Sequence, residues 1–158
     1  MGNFLFQSYT KNFQKRLQGV PNSYYLDKNS PLGELQHQLL LNYLWKHDLP
    51  VCVKGFRKGE NYRSFLSDHI GSEFFLRIDI SSFFPSISDT LIKTEFSNLV
   101  TCSIAEEKAK ILDLICDIVT LDNKLPQGAC TSPMVSNIVM ARIDQRITKY
   151  CQVFNIRV

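Results

Sequence analysis

The chain has 158 residues, 44% of them hydrophobic, and a formal net charge of +3 at pH 7. This length fits one domain or part of one, and the weak basic balance permits nucleic-acid binding without requiring it. The five cysteines lack Cys-x-x-Cys spacing and have no histidine at a ligand offset, which argues against a zinc site and favours reduced thiols. The N-terminus lacks signal-peptide features and no apolar stretch reaches the length of a membrane span, so we expect a cytoplasmic protein without membrane contact.

The first third of the chain predicts one helix after an N-terminal arm. Residues 3–20 mix aromatic and basic side chains, which is typical of a short helix or an extended basic arm. Ser30 followed by Pro31 indicates a capped helix start, and apolar residues recur at helical spacing up to about Lys46. Residues 51–53, Val-Cys-Val, then predict a short strand.

Residues 54–59, Lys-Gly-Phe-Arg-Lys-Gly, predict a flexible basic turn. Its three cations could reach the phosphates of a nucleotide or nucleic acid. A solvated basic loop in front of a helix explains the same composition. The position of this segment directly before an unusual apolar stretch, residues 74–80, favours the first interpretation.

Residues 74–80, Phe-Phe-Leu-Arg-Ile-Asp-Ile, predict a strand that Pro85 ends. Because side chains alternate across a strand, its apolar face should pack on helices, while Arg77 and Asp79 share the other face. Asp79 has two interpretations. It can cap the following helix or pair with Arg77, or it can ligate a divalent cation for phosphoryl transfer, since Mg²⁺ takes carboxylate and phosphate oxygens.

In the second half of the chain, capping signals and helical periodicity predict three helices. The predicted elements are a helix opened by a capping box at Ser86-x-x-Asp89, a helix from Ser103 to about Leu121, a helix from Ser132-Pro133 to Tyr150, and the start of a strand at residues 153–158.

Three stretches together go beyond generic patterning. They are Gly-Phe-x-Lys-Gly at 55–59, Leu-x-Ile-Asp-Ile-x-x-Phe-Phe-x-Ser-Ile at 76–87, and Leu-Pro-Gln-Gly-x-x-Thr-Ser-Pro-x-x-Ser-Asn at 125–137. In this order and spacing the chain, over residues 30–158, resembles the bacterial reverse transcriptases of the retron, group II intron and phage-defence lineages. The chain departs from the usual family pattern at Glu60-Asn61, where Arg-Ser is usual, at Ser82, where Asp is common, and at Cys130, where Pro is usual.

The resemblance implies an α+β fold, the fingers and partial palm of a right-hand polymerase, with helices packed on a small antiparallel sheet. Residues 1–72 would form a fingers-like region. Residues 73–158 would form a partial palm that carries the first catalytic aspartate and the Leu-Pro-Gln-Gly loop.

The resemblance also implies residue roles. Asp79 would be the catalytic carboxylate and a Mg²⁺ ligand, with the backbone carbonyl of Ile80 as a further ligand. Phe84 matches the steric gate that excludes a 2′-hydroxyl, and Gln127 and Gly128 match the loop that lines the incoming dNTP. Arg77 and Lys58 are weaker candidates for phosphate contacts, proposed from their charge and position.

The family's Tyr-x-Asp-Asp turn and its thumb are not in these residues. A two-metal Mg²⁺ site needs several carboxylates, so we expect a second protein chain to supply both, and the isolated chain to be inactive. The expected partners are an RNA template, the DNA product and dNTP, in a role that the resemblance links to anti-phage defence. The alternatives are a non-catalytic nucleic-acid-binding or structural subunit derived from a reverse transcriptase, and a truncated inactive fragment.

Overall fold

The computed structural model describes residues 13–15 and 24–158, and all structural statements below concern these residues. The elements in chain order are β1 (Phe13–Lys15), β2 (Tyr24–Leu26), α1 (Pro31–Asn42), a 3₁₀ helix (Leu44–Lys46), α2 (Tyr62–Ser67), α3 (Phe83–Ser86), α4 (Asp89–Phe96), α5 (Ala105–Val119) and α6 (Ser132–Val153).

Strands β1 and β2 form a two-stranded antiparallel sheet in which Phe13 lies opposite Leu26. The N-terminal arm expected at residues 3–20 is thus extended at β1, and the rest of that prediction lies outside the described residues. Strand β2 leads into α1, where the Ser30 hydroxyl accepts a hydrogen bond from the Gly33 N–H at 3.1 Å. This is the cap expected from the sequence.

The core lies between α1, the 3₁₀ helix, α4, α5 and the first half of α6. Burial of one large apolar side chain contributes about 1.5–3 kcal/mol, so this helix-on-helix packing dominates the stability of the described fold. The most completely buried apolar residues are Leu32, Leu44, Ile92, Phe96, Val119, Leu125 and Val135.

A polar side chain, that of Gln36, lies fully buried within this core. Its Nε2 donates a hydrogen bond to the backbone carbonyl of Ile118 at 2.8 Å. Ile118 belongs to the last turn of α5, where carbonyls have no partner within the helix. Gln36 therefore satisfies a carbonyl that would otherwise be buried without a hydrogen bond, and it fixes α1 against α5.

The structure confirms the helices expected from periodicity and moves some of their ends. Helix α4 is capped by Ser88, whose hydroxyl accepts from the Leu91 N–H, rather than by Ser86. Helix α5 begins at Ala105, without a side-chain cap, rather than at Ser103. Helix α6 continues to Val153, past the expected end at Tyr150.

The predicted strands at 51–53, 74–80 and 153–158 are wrong in this structure. Residues 51 and 52 form a turn, residues 74–80 make no strand ladder, and 153–155 complete α6 and a turn. The physical reason is that a strand needs a hydrogen-bonded neighbour, and no other described segment pairs with residues 74–80. Leu76 and Ile78, expected on a helix-covered face, are 87% and 79% exposed.

The mixed class with a small antiparallel sheet is thus found, but β1 and β2 form that sheet instead of the Asp79 segment. The right-hand polymerase fold and the boundary between residues 72 and 73 stay predictions. In the part of the chain that the structure describes, no helix has both the length and the apolarity needed to cross a membrane.

Replacing Gln36 with Leu should lower the free energy of unfolding by about 1–3 kcal/mol, because the Ile118 carbonyl would remain buried without a donor. Urea denaturation measures this loss. The matched control is Gln38→Leu, which removes only exposed hydrogen bonds to Glu34 and Asn42 and should change stability by less than about 0.5 kcal/mol. Equal losses in the two variants would contradict the structural role of Gln36.

Candidate functional site

Asp79 lies on the exposed, irregular segment 74–80 rather than in a cleft. Neither its carboxylate nor the guanidinium of Arg77 makes a hydrogen bond or ion pair with a described residue. The expected pairing of these two side chains is therefore absent from the described structure, and so is a capping bond from Asp79. Ile80, the next residue, is half exposed.

The chain packs against the core from Phe83 onward, four residues after Asp79. Ser82 adopts a left-handed conformation with φ of 51°, and its carbonyl accepts a hydrogen bond from the Ser86 N–H across the single turn of α3. The ring centroids of Phe83 and Phe84 lie 5.6 Å apart, and both rings are half buried and pack against the core. Phe84 is thereby held in place five residues from the exposed carboxylate.

The Leu-Pro-Gln-Gly loop, residues 125–128, is joined to the same segment by a backbone hydrogen bond. The N–H of Leu125 donates to the carbonyl of Ile87 at 3.0 Å, and the Leu125 side chain lies in the core. The buried Ser132 hydroxyl donates to the Pro126 carbonyl at 2.6 Å and so stabilises the loop. The sequence had instead predicted that Ser132 caps the helix. The second and third motifs of the sequence are thus adjacent in space.

Strand β2 determines the backbone of Gln127 and Gly128. The Tyr24 N–H donates to the Gln127 carbonyl at 2.8 Å, and Gln127 is an exposed residue. Gly128 has φ of 123°, and a Cβ on it would overlap the carbonyl oxygen of Tyr24. Only glycine satisfies both conditions. Sequence reasoning assigned Gly128 to the nucleotide and missed its contact with β2.

The three cations of the basic turn differ in whether they have a partner within the protein. Lys54 lies 3.1 Å from Asp68 and 3.5 Å from Glu60, and its hydrogen bond with Asp68 raises the pKa of Lys54. Arg57 donates to the carbonyl of Pro50. Lys58 is exposed and makes no ion pair within the described ranges 13–15 and 24–158. It is therefore the cation of this turn best placed to meet an external phosphate.

Asn137 connects the basic turn to α6. Its side-chain Nδ2 donates to the Gly55 carbonyl at 2.8 Å, across 82 positions of sequence. The first and third motifs are therefore joined as well. Asn137 belongs to the third motif, but nothing in its sequence position indicated which carbonyl it would bind.

Cys130 and Gln36 make a further link that the sequence did not reveal. The Cys130 thiol lies 3.8 Å from Gln36 Oε1, so the amide that holds α5 also contacts the residue two positions after Gly128. Burial raises the pKa of this thiol, which keeps it protonated and able to donate. Cys130 thus has a structural contact at the position where the family usually has proline.

The described residues do not make a metal site by themselves. Among them, no group of three or more His, Cys, Asp and Glu side chains could hold a metal ion. Asp79 would supply one carboxylate, and a two-metal site needs more. The expected Mg²⁺ site therefore does not fit the residues at hand without further ligands.

Comparison with known proteins identifies the class. No protein-family model matches the chain. It is 30% identical over 151 residues to the retron Ec86 reverse transcriptase of Escherichia coli, a match that covers 94% of this chain and 44% of the relative. It is 32% identical over 108 residues to the retron Se72 reverse transcriptase of Salmonella heidelberg (strain 579083-10), covering 68% of this chain and 27% of the relative.

A more distant match is the putative COX1/OXI3 intron 1 protein of Saccharomyces cerevisiae, 25% identical over 134 residues, which covers 75% of this chain and 15% of the relative. The chain is a homologue of reverse transcriptases. More particularly, several retron reverse transcriptases are among its homologues, and this supports a bacterial retron-type lineage. The resemblance seen in the three motifs is confirmed. The chain spans less than half the length of the retron relatives it matches.

Replacing Gly128 with Ala should destabilise the chain more than replacing Gly71 with Ala. Both glycines have positive φ, for which a Cβ costs on the order of 1–3 kcal/mol, but only at Gly128 would the Cβ also overlap Tyr24. Urea denaturation measures the difference, and hydrogen exchange should show lost protection of the Tyr24 amide in the Gly128 variant alone. Identical behaviour of the two variants would contradict the contact between β2 and the loop.

Proposed function

We propose that this chain forms the fingers and part of the palm of an RNA-directed DNA polymerase, which transfers deoxynucleotides from dNTP to a growing DNA end on an RNA template. The observation that carries the proposal is the hydrogen bond between Leu125 and Ile87, because it places the Leu-Pro-Gln-Gly loop beside the segment that follows Asp79. The homology to retron reverse transcriptases supports it.

The proposed roles come from the family resemblance, and the position of each side chain is compatible with its role. Asp79 and Ile80 are exposed residues at the end of segment 74–80, where an incoming triphosphate could reach the Asp79 carboxylate and the Ile80 carbonyl. Phe84, held against the core, presents a bulky ring that would clash with a ribose 2′-hydroxyl. Phosphoryl transfer depends mainly on positioning and charge neutralisation, which suits exposed polar groups next to an anchored ring.

The other proposed contacts lie on the loop and the basic turn. Gln127 and Gly128 would line the incoming nucleotide, since β2 fixes their backbone and Gln127 is an exposed residue. Lys58 and Arg77 would bind triphosphate or template phosphates, because both are exposed cations without an acidic partner in the described structure.

Catalysis would require polypeptide beyond the residues described here. We propose that Asp79 contributes one carboxylate to a Mg²⁺ site whose other carboxylates come from a Tyr-x-Asp-Asp turn on a second chain, which also supplies the thumb. When bound, Mg²⁺ would neutralise phosphate charge. The exposed backbone of residues 74–80, which has no ladder partner here, is available to pair with such a chain.

Replacing Asp79 with Asn should lower Mg²⁺-dependent dNTP incorporation on an RNA template at least about a hundredfold, because the proposed Mg²⁺ site would lose an anionic oxygen ligand. The assay uses this chain combined with the polypeptide that carries Tyr-x-Asp-Asp. The matched control, Asp48→Asn, makes the same change at another exposed aspartate and should leave the rate unchanged.

Incorporation by the isolated chain, or activity that survives Asp79→Asn, would contradict this assignment.

The proposed role in anti-phage defence rests on the family resemblance. Under this role, deletion of the gene should cost the cells their phage resistance. The wild-type gene should restore resistance and the Asp79→Asn variant should not. Plaque counts measure both outcomes.

Replacing Phe84 with Ala should raise ribonucleotide incorporation relative to deoxynucleotide incorporation by about ten- to a hundredfold, because the ring that meets the 2′-hydroxyl is removed. Competition between labelled rNTP and dNTP measures the ratio in the assembled enzyme. Phe83→Ala is the control, since Phe83 packs on the same core and contacts Phe84 but is not assigned to the nucleotide. A similar shift in both variants would refute the steric gate.

A second candidate is a non-catalytic nucleic-acid-binding subunit derived from a reverse transcriptase. The observation that favours it is the absence of a metal-ligand cluster among the described residues. Under this alternative the chain binds RNA equally well with and without Mg²⁺ and dNTP, and no polypeptide restores incorporation.

A further inference from the structure

Residues 74–80 are an exposed stretch of backbone with which no other described segment pairs. They contain no helix, turn or bend, and none of them has a positive φ. No backbone N–H or carbonyl of this stretch makes a backbone hydrogen bond with another described residue. A strand from another chain could therefore form hydrogen bonds along the whole stretch.

The side chains of residues 74–80 are those of a strand. Phe74, Leu76 and Ile78 are 89%, 87% and 79% exposed. A run of seven residues with high β-propensity, balanced charge and neither proline nor glycine is typical of segments that pair between chains. The balance comes from Arg77 and Asp79, the only charged residues of the stretch, and neither has an ion-pair partner among the described residues.

The positions of these two charges make the stretch complementary to a second copy of itself. In an antiparallel pair centred on Ile78, Arg77 of each copy lies directly opposite Asp79 of the other. Side chains opposite each other in such a pair have Cβ atoms about 4.5–5.5 Å apart, and opposite charges there stabilise the pair. The two-fold symmetry forms both ion pairs at once. On the other face Ile78 meets Ile78 and Leu76 meets Ile80, so apolar side chains lie opposite apolar ones.

Other registers lose this complementarity. An antiparallel pair centred on Arg77 or on Asp79 brings two like charges opposite each other, which destabilises a strand pair. A centre between two residues sets a charged side chain opposite an apolar one. A parallel pair in register aligns each charge with its own kind. Within residues 74–80, only the register centred on Ile78 pairs both charges with the opposite sign.

We propose that two copies of this chain associate through residues 74–80 in this antiparallel register. A seven-residue strand pair is smaller than the interfaces of stable complexes, which bury ~1,200–2,000 Å² in total, so we expect a weak dimer that forms as the concentration rises. In the dimer, Arg77 of the second copy engages the Asp79 carboxylate. That this engagement keeps Asp79 from a Mg²⁺ site rests on the proposed function; the self-association does not.

The test is sedimentation equilibrium of the full chain over a concentration series, without metal or nucleotide. Arg77→Asp and Asp79→Arg should each weaken the association on the order of tenfold to a hundredfold, because each variant sets two like-charge pairs across the dimer. An equimolar mixture of the two variants should associate with wild-type affinity, since a doubly acidic stretch then faces a doubly basic one. The double variant should also associate, because its two charges have only changed places.

Arg63→Asp and Asp48→Arg are the matched controls. They make the same changes of charge at exposed residues outside the stretch, so they should leave the association constant unchanged. Hydrogen exchange gives a second readout. Protection of the amides of residues 74–80 should rise with protein concentration in the wild type and not in Arg77→Asp. Recovery of association on mixing excludes misfolding as the cause of the losses in the single variants.

Three results would overturn the proposal: a wild-type chain that stays monomeric, association that survives both single charge reversals, or single variants that stay monomeric when mixed. The second result would assign the association to another exposed surface, such as the one that carries Ile143 and Ile147.

The measurement needs no metal, nucleotide or second kind of polypeptide. Recovery on mixing, together with no polymerisation by the assembled enzyme, would therefore refute the proposed function alone. Polymerisation by the assembled enzyme, together with a monomeric wild-type chain, would refute this inference alone.

Discussion

The amide of Gln36 lies where three parts of the chain meet. It donates to the last turn of α5, and its oxygen contacts the thiol of Cys130, just beyond the Leu-Pro-Gln-Gly loop. A buried polar group is costly unless its hydrogen bonds are made, so the helices around it can pack closely only in the arrangement that satisfies this side chain. The position of the loop relative to the helical core depends on that arrangement.

The remaining connections are mainly backbone hydrogen bonds. Leu125 joins the loop to Ile87, Tyr24 joins it to β2, and the Asn137 side chain brings in the carbonyl of Gly55. Three stretches distant in sequence are therefore fixed relative to one another by groups that carry no chemistry of their own. The polar side chains with proposed chemical roles, Asp79 above all, are exposed, whereas Phe84 packs half buried against the core.

Two apolar stretches are exposed in the described structure. Segment 74–80 exposes its leucine and isoleucines, and the second half of α6 exposes Ile143 and Ile147 although Val135 and Val139 on the same stripe are buried. Apolar surface of this kind usually meets another polypeptide segment. The homology covers less than half of each of these retron relatives.

The sequence by itself determined the family and the helices α1, α4, α5 and α6. Helical periodicity and the Ser30-Pro31 signal located α1, because capping and amphipathic spacing act within a few residues. Three motifs in order indicated reverse transcriptases. The strand expected around Asp79 failed because local β-propensity says nothing about whether a pairing neighbour exists. Likewise, the sequence predicted a cap at Ser86, and the structure has the capping hydrogen bond at Ser88.

Only the tertiary structure decided which polar residues are engaged and which are accessible. Lys54 and Lys58 look equivalent in sequence, yet Lys54 is held by two carboxylates and Lys58 is exposed. Gly128 matches a family motif, but its need for glycine comes from the Tyr24 carbonyl more than a hundred positions earlier. Such contacts depend on how distant segments meet in space, and no local pattern records that geometry.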